Sequence, residues 1–209
     1  MKKLMIALAI VAIASVAQAE LLATWSGSNS GVVTAGGNAN VVVGNISLYG
    51  TAGNTASTGD TWGMNLLDTA GNGLQFTITS ITAGHYINNA VVSGTVSGSG
   101  TGPSSMDWYV GASLVASIDR SATAATSFSS SLGALYSGNV VTLRSDPTAL
   151  SVTGGAVGTG GSFRIRTGGV GGTMQLNGDY TASPVPEPAT MGLLGLGALA
   201  MVIRRKMSK

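Results

Sequence analysis

The chain has 209 residues, 44% of them apolar and only 9% charged, with 32 glycines, no cysteine and a formal charge of +2. Without cysteine there are no disulfides, no thiol catalysis and no cysteine-ligated zinc. The positive charge sits at the ends, on Lys2, Lys3, Arg204, Arg205, Lys206 and Lys209. Between them only Arg120, Arg144, Arg164 and Arg166 face Glu20, Asp60, Asp68, Asp107, Asp119, Asp146 and Asp179, so the lysine-free middle is acidic and no nucleic-acid partner is expected.

In chain order, Lys2 and Lys3 form a positive n-region, Leu4 to Val16 an apolar stretch, and Ala17-Gln18-Ala19 a small-residue cleavage site before Glu20. This pattern predicts a secretory signal peptide over 1–19, cut between Ala19 and Glu20 by signal peptidase after export through Sec. An uncleaved anchor is the other reading of the same residues.

The body, 20–183, is rich in Gly, Ser, Thr, Ala and Val. It shows no sustained 3.6-residue apolar period, which predicts an all-β fold. Leu22–Trp25 and Asn40–Leu48 read as strands, Gly50–Thr61 as a turn-rich loop, and Trp62–Leu67 as ambiguous. Leu74–Ile81 alternates, with Leu74, Phe76 and Ile78 on one face and Gln75, Thr77 and Thr79 on the other. Tyr86–Val96 reads as a strand pair or one long bent strand, and Gly98–Pro103 as a loop. Ser105–Val110 points Met106, Trp108 and Val110 inward and Asp107 and Tyr109 outward, with Leu114–Ile118 as its hairpin partner. Asn139–Arg144, Ser162–Thr167 and Met174–Tyr180 complete the set, the last bent at Asn177-Gly178. This spacing suits a sandwich or barrel. A β-solenoid would need a fixed repeat, and none is present.

The chemistry-bearing residues are few. His85 is the only histidine, so a zinc site of ordinary composition is not expected. A Ser-His-Asp triad would have to be built without a G-x-S-x-G elbow. The aspartates are scattered, and the body beyond Glu20 has no glutamate to pair with them for glycoside hydrolysis. A Ca²⁺ site would lack a D-x-D-x-D-G loop. The Gly154–Gly161 run has no Gly-Lys-Ser/Thr to cradle phosphate. The expectation is therefore no catalytic residue, no metal and no cofactor. Trp25, Trp62, Trp108, Tyr86 and Tyr109 could stack on sugars, but burial is the commoner fate of large aromatics. Tyr109, beside Asp107, is the best exposed candidate for ligand binding. Arg164 and Arg166 share a strand face that could meet a carboxylate-bearing polysaccharide.

The last stretch, 184–209, places Pro186-Glu187-Pro188 before an apolar run from Ala189 to Ile203, closed by Arg204-Arg205-Lys206. As a helix the run would be about 22 Å long, short of a ~30 Å hydrocarbon core. Flanking cations can snorkel to make up the difference, and the basic end is expected to stay cytoplasmic. Pro186 and Pro188 keep the preceding segment extended, open to a processing enzyme.

This order of motif, apolar helix and basic end resembles the PEP-CTERM sorting signal read by exosortases in Gram-negative bacteria. The resemblance implies export, transient inner-membrane anchoring and cleavage near Pro186-Glu187-Pro188. An ordinary C-terminal membrane anchor is the alternative. The body is also similar to those of several exported proteins with this tail. The resemblance is carried by Phe76-Thr77-Ile78-Thr79, by Ser99-Gly100-Thr101-Gly102-Pro103-Ser104-Ser105-Met106-Asp107-Trp108, by Ser162-Phe163-Arg164-Ile165 and by Leu176-Asn177-Gly178. It departs at Gly172-Thr173-Met174-Gln175, where those proteins carry Trp-Arg-x-Asp. It implies a jelly-roll-like antiparallel β-sandwich, flanked here by a signal-peptide helix and a sorting helix, and it carries no activity. The expected function is an exported, non-enzymatic structural or adhesive protein of the cell surface or exopolysaccharide matrix. A carbohydrate-binding module for extracellular polysaccharide is the second reading, and a hydrolase the third.

Overall fold

In a computed structural model, the chain is described over residues 19–25, 33–55, 61–65, 67–69, 71–121, 123–146, 148, 150–166 and 173–182. The signal-peptide core, Ala17 and everything from 183 onward, including the sorting segment, lie outside the described residues.

Period-two alternation of Gly, Ser and Thr with aliphatic side chains yields strands throughout. They are β1 (Glu20–Trp25), β2 (Val33–Ala35), β3 (Val41–Val43), β4 (Ser47–Tyr49), β5 (Gly53–Thr55), β6 (Thr61–Asn65) and β7 (Gly73–Ile81). Then come β8 (His85–Gly98), β9 (Ser105–Val110), β10 (Ser113–Asp119), β11 (Thr126–Leu135), β12 (Val140–Ser145), β13 (Phe163–Arg166) and β14 (Met174–Ala182). No helix occurs among the described residues. Two antiparallel sheets pack face to face as a β-sandwich, consistent with a jelly-roll-like fold.

The first sheet is organised on β8. β14 pairs with its first half and β13 with its last residues, while β11 pairs along its other edge. β1 and β2 extend the sheet beyond β14, and β6 and β5 extend it beyond β13. The second sheet runs β10-β9-β12-β7, with β4 and β3 sharing the outer edge of β7. The stretch 40–48 is thus two short strands with Gly44 between them, where the Gly44 amide bonds to the Thr77 carbonyl. Part of the predicted loop 50–61 forms β5.

Between the sheets, Trp25 and Phe76 pack at a ring separation of 4.8 Å, and Phe76 meets Trp108 edge-on at 6.3 Å. Leu22, Leu74, Ile78, Val92, Leu143, Ile165 and Leu176 fill the space around them. Each such side chain contributes about 1.5–3 kcal/mol on burial. The Trp25 indole N–H donates to the Gly44 carbonyl at 3.2 Å.

The stretch 86–96 lies in one long strand, and it is bent. Asn89 adopts φ 49°, Gly133 on β11 adopts φ 73°, and the β14 register slips between Asn177 and Asp179. A kink shared by three neighbouring strands keeps the ladder intact on both sides of it. The Asn89 side chain secures it by donating to the buried Asp179 carboxylate at 2.8 Å. Gly178 is required there, because a Cβ would run into the Ile87 side chain and the Asn88 carbonyl.

Candidate functional site

The outer face of the second sheet is built by two rows of paired residues. Ser47, Gln75, Thr142, Tyr109 and Leu114 lie across one row, and Tyr49, Gly73, Arg144, Asp107 and Ser117 across the next. Gly73 is required between Tyr49 and Arg144, because a Cβ there would run into the Leu143 carbonyl and the Arg144 backbone. The Arg144 guanidinium lies over both tyrosines, 4.8 Å from the Tyr49 ring centre and 4.4 Å from that of Tyr109. Its Nε donates to the Thr142 hydroxyl at 2.7 Å and its Nη2 to the Gly111 carbonyl at 3.2 Å. Asp107 accepts from the Ser117 hydroxyl at 2.6 Å.

The two residues singled out as ligand candidates thus share one face, half-buried, and the fold adds Tyr49 and Arg144 to them. One face of the Tyr109 ring is covered by the guanidinium. What the strip offers is two tyrosine rings against a held cation, with a carboxylate and hydroxyls beside them. Cation–π contacts of this kind are worth about 0.5–1 kcal/mol each at exposed sites. The sequence-level signal for the arrangement is the outward parity of Tyr109 and Arg144 on neighbouring strands; Tyr49 is joined to them only by the sheet.

The other candidates are spread apart. His85 is half-buried, its Nδ1 3.2 Å from the Ala83 carbonyl and its ring stacked on Tyr180 at 4.7 Å. Trp25 and Trp108 are core residues. Arg164 is half-buried on the face of β13 opposite Phe163 and Ile165; the Arg166 side chain and Asp60 lie outside the description. Asp146 accepts from the Thr148 amide and hydroxyl at 2.8 and 2.7 Å, which holds its carboxyl below the ordinary carboxylate value. No three His, Asp or Glu side chains among the described residues gather as metal ligands would.

Arg120 is a residue whose role the sequence pattern does not reveal. It is only 1% exposed. Its Nη2 donates to the carbonyls of Ser99 and Pro103 at 3.0 and 3.1 Å, and the guanidinium lies 5.6 Å from the Phe163 ring centre. Gly98 and Gly102 make the slot: a Cβ at either would meet the guanidinium and the Ser162 carbonyl. Burial pushes the Arg120 guanidinium below its ordinary value, and Nε and Nη1 have no hydrogen-bond partner among the described residues. The Ser99-Gly100-Thr101-Gly102-Pro103 segment and Phe163 therefore form one structural clamp around an arginine.

Residues 184–206 match the family model of the PEP-CTERM protein-sorting motif. The body is thus an all-β sandwich carrying a C-terminal sorting signal, and the motif marks the chain as an exported, exosortase-sorted protein. Comparison with curated proteins gives no match.

Proposed function

We propose that the sandwich is a non-enzymatic structural or adhesive module of the cell surface or exopolysaccharide matrix. In this reading the chain is exported through Sec, trimmed by signal peptidase after Ala19, held briefly in the inner membrane by 189–203, and released by exosortase near Pro186-Glu187-Pro188. Arg204, Arg205 and Lys206 hold the tail in place by remaining on the cytoplasmic side. The observation that carries it is the sorting motif at 184–206, directly after a body whose last strand ends at Ala182. The proposed N-terminal cut agrees with the fold, since β1 begins at Glu20 itself. Replacing Pro186, Glu187 and Pro188 by alanines is expected to leave an uncleaved, membrane-retained chain in the native host. Unchanged processing would contradict exosortase recognition.

The second reading, a carbohydrate-binding module, is favoured by the Tyr49–Arg144–Tyr109 strip on an open sheet face. Rings beside a held guanidinium and hydroxyls suit the apolar face and hydroxyls of a sugar. Pull-down of the body on a panel of polysaccharides separates the two readings. Retention that is lost in Tyr49→Ala and Tyr109→Ala supports binding, and no retention on any polymer removes it.

A further inference from the structure

The sandwich has two ends of different character, and the chain leaves for its sorting tail from the apolar one. β14 ends at Ala182, paired with His85 at the start of β8. The turn 82–84 joins this point to the end of β7, and the 136–139 turn lies beside it, with Ile78 N–H donating to the Asn139 carbonyl at 2.9 Å. The 111–112 turn is adjacent, its Gly111 amide bonding to the Val140 carbonyl at 2.9 Å. Six large apolar side chains stand exposed among the described residues, and five of them are at or next to these turns: Val42, Leu114, Val115, Tyr136 and Val140. Leu114 is 57% exposed, Tyr136 52% and Val42 50%. Aromatic rings reinforce the same end, with Tyr86 stacked on Tyr136 at 5.5 Å and His85 on Tyr180 at 4.7 Å. The sixth, Leu150, is at the opposite end, together with Asp68, Asp119 and Asp146.

We infer that the Val42–Leu114–Tyr136 end is a lipid-facing surface, which seats the body on the bilayer while the tail is still uncut. This rests on the proposed anchoring of the tail. Six residues, 183–188, separate Ala182 from Ala189, where the apolar run begins, and seven backbone steps put the exit point at most ~25 Å from it. Tyrosine and small aliphatic side chains partition to the interfacial layer, the ring contacting acyl chains and the hydroxyl the headgroups. The bilayer is the chosen occupant because the tail carries this end to it, at high effective concentration.

The chain has no cysteine, so single substitutions give unique label sites. Ser137→Cys marks the tail end and Ala124→Cys the far end. Each tail-bearing chain is reconstituted in phosphatidylethanolamine/phosphatidylglycerol vesicles holding a headgroup-level quencher. The label at 137 is expected to lose most of its emission and the label at 124 little. Adding Val42→Ser, Leu114→Ser and Tyr136→Ser is expected to restore emission at 137 while the chain still floats with the vesicles and still unfolds in one cooperative transition. Vesicle-bound chain with equal quenching at both sites, or none at 137, overturns the inference. Chain that fails to float with vesicles sinks the anchoring reading instead. A shift in the 137 label without lipid, growing with protein concentration, assigns the surface to a second copy and overturns the lipid assignment.

Discussion

At one end of the sandwich, Arg120 fits under two glycines, its Nη2 turned onto the carbonyls of Ser99 and Pro103. At the other, Val42, Leu114 and Tyr136 stand in solvent beside the exit of the chain. The first end is held by stereochemistry that tolerates no added atom. The second is held by its backbone ladder and by the Tyr86–Tyr136 and His85–Tyr180 stacks, and its exposed apolar side chains can still meet something else. Stability and contact are therefore separable along one axis of the fold, and substitutions should sort by end.

The largest effect belongs to the core that both ends share. Phe76→Ala removes the ring that touches both Trp25 and Trp108 and is expected to cost about 3–5 kcal/mol, measured by urea denaturation. At the clamped end, Gly98→Ala drives a Cβ into the Ser162 carbonyl and the guanidinium, for a loss of about 3 kcal/mol. Arg120→Ala should cost less, about 2 kcal/mol, because the lost hydrogen bonds and packing are partly offset by removing a buried cation with two unpartnered donors. At the exit end, Val42→Ser and Leu114→Ser should each lie within about 0.5 kcal/mol of the parent, and Tyr136→Ser, which also gives up the stack on Tyr86, within about 1.5 kcal/mol. A loss there as large as at Gly98 would break the contrast.

The smallest effect is at Asp146. Its carboxyl is held below the usual 3.8 by Thr148, so the folded chain binds fewer protons than the unfolded one in that region. Its contribution is present above pH 3.8 and is lost as pH falls through the lower folded value. The group is well solvated, so Asp146→Ala should cost about 0.3 kcal/mol at pH 7 and progressively less as pH falls below 3.8, read from melts across the acid range.

Strands with aliphatic or aromatic alternation were legible from the residues alone. β7 buries Leu74, Phe76 and Ile78, and β9 buries Met106 and Trp108, as their spacing implies. β11 was not, because its inward positions include Ser130 where an aliphatic residue would signal a strand, and Gly133 breaks the parity. β2 and β5 have three residues each, too few for a period to register. Of the candidate site, Tyr109 and Asp107 were readable as an outward pair. Tyr49 joins them through strands distant in sequence, and the Arg120 slot depends on glycines whose value lies in the room they leave.

The account turns on two ends being removed from an exported body. Mass spectrometry of the mature protein from its native host tests this most directly. The account predicts a polypeptide beginning at Glu20 and ending close to Pro186-Glu187-Pro188. An intact chain from Met1 to Lys209, recovered from the cytosol, would contradict it.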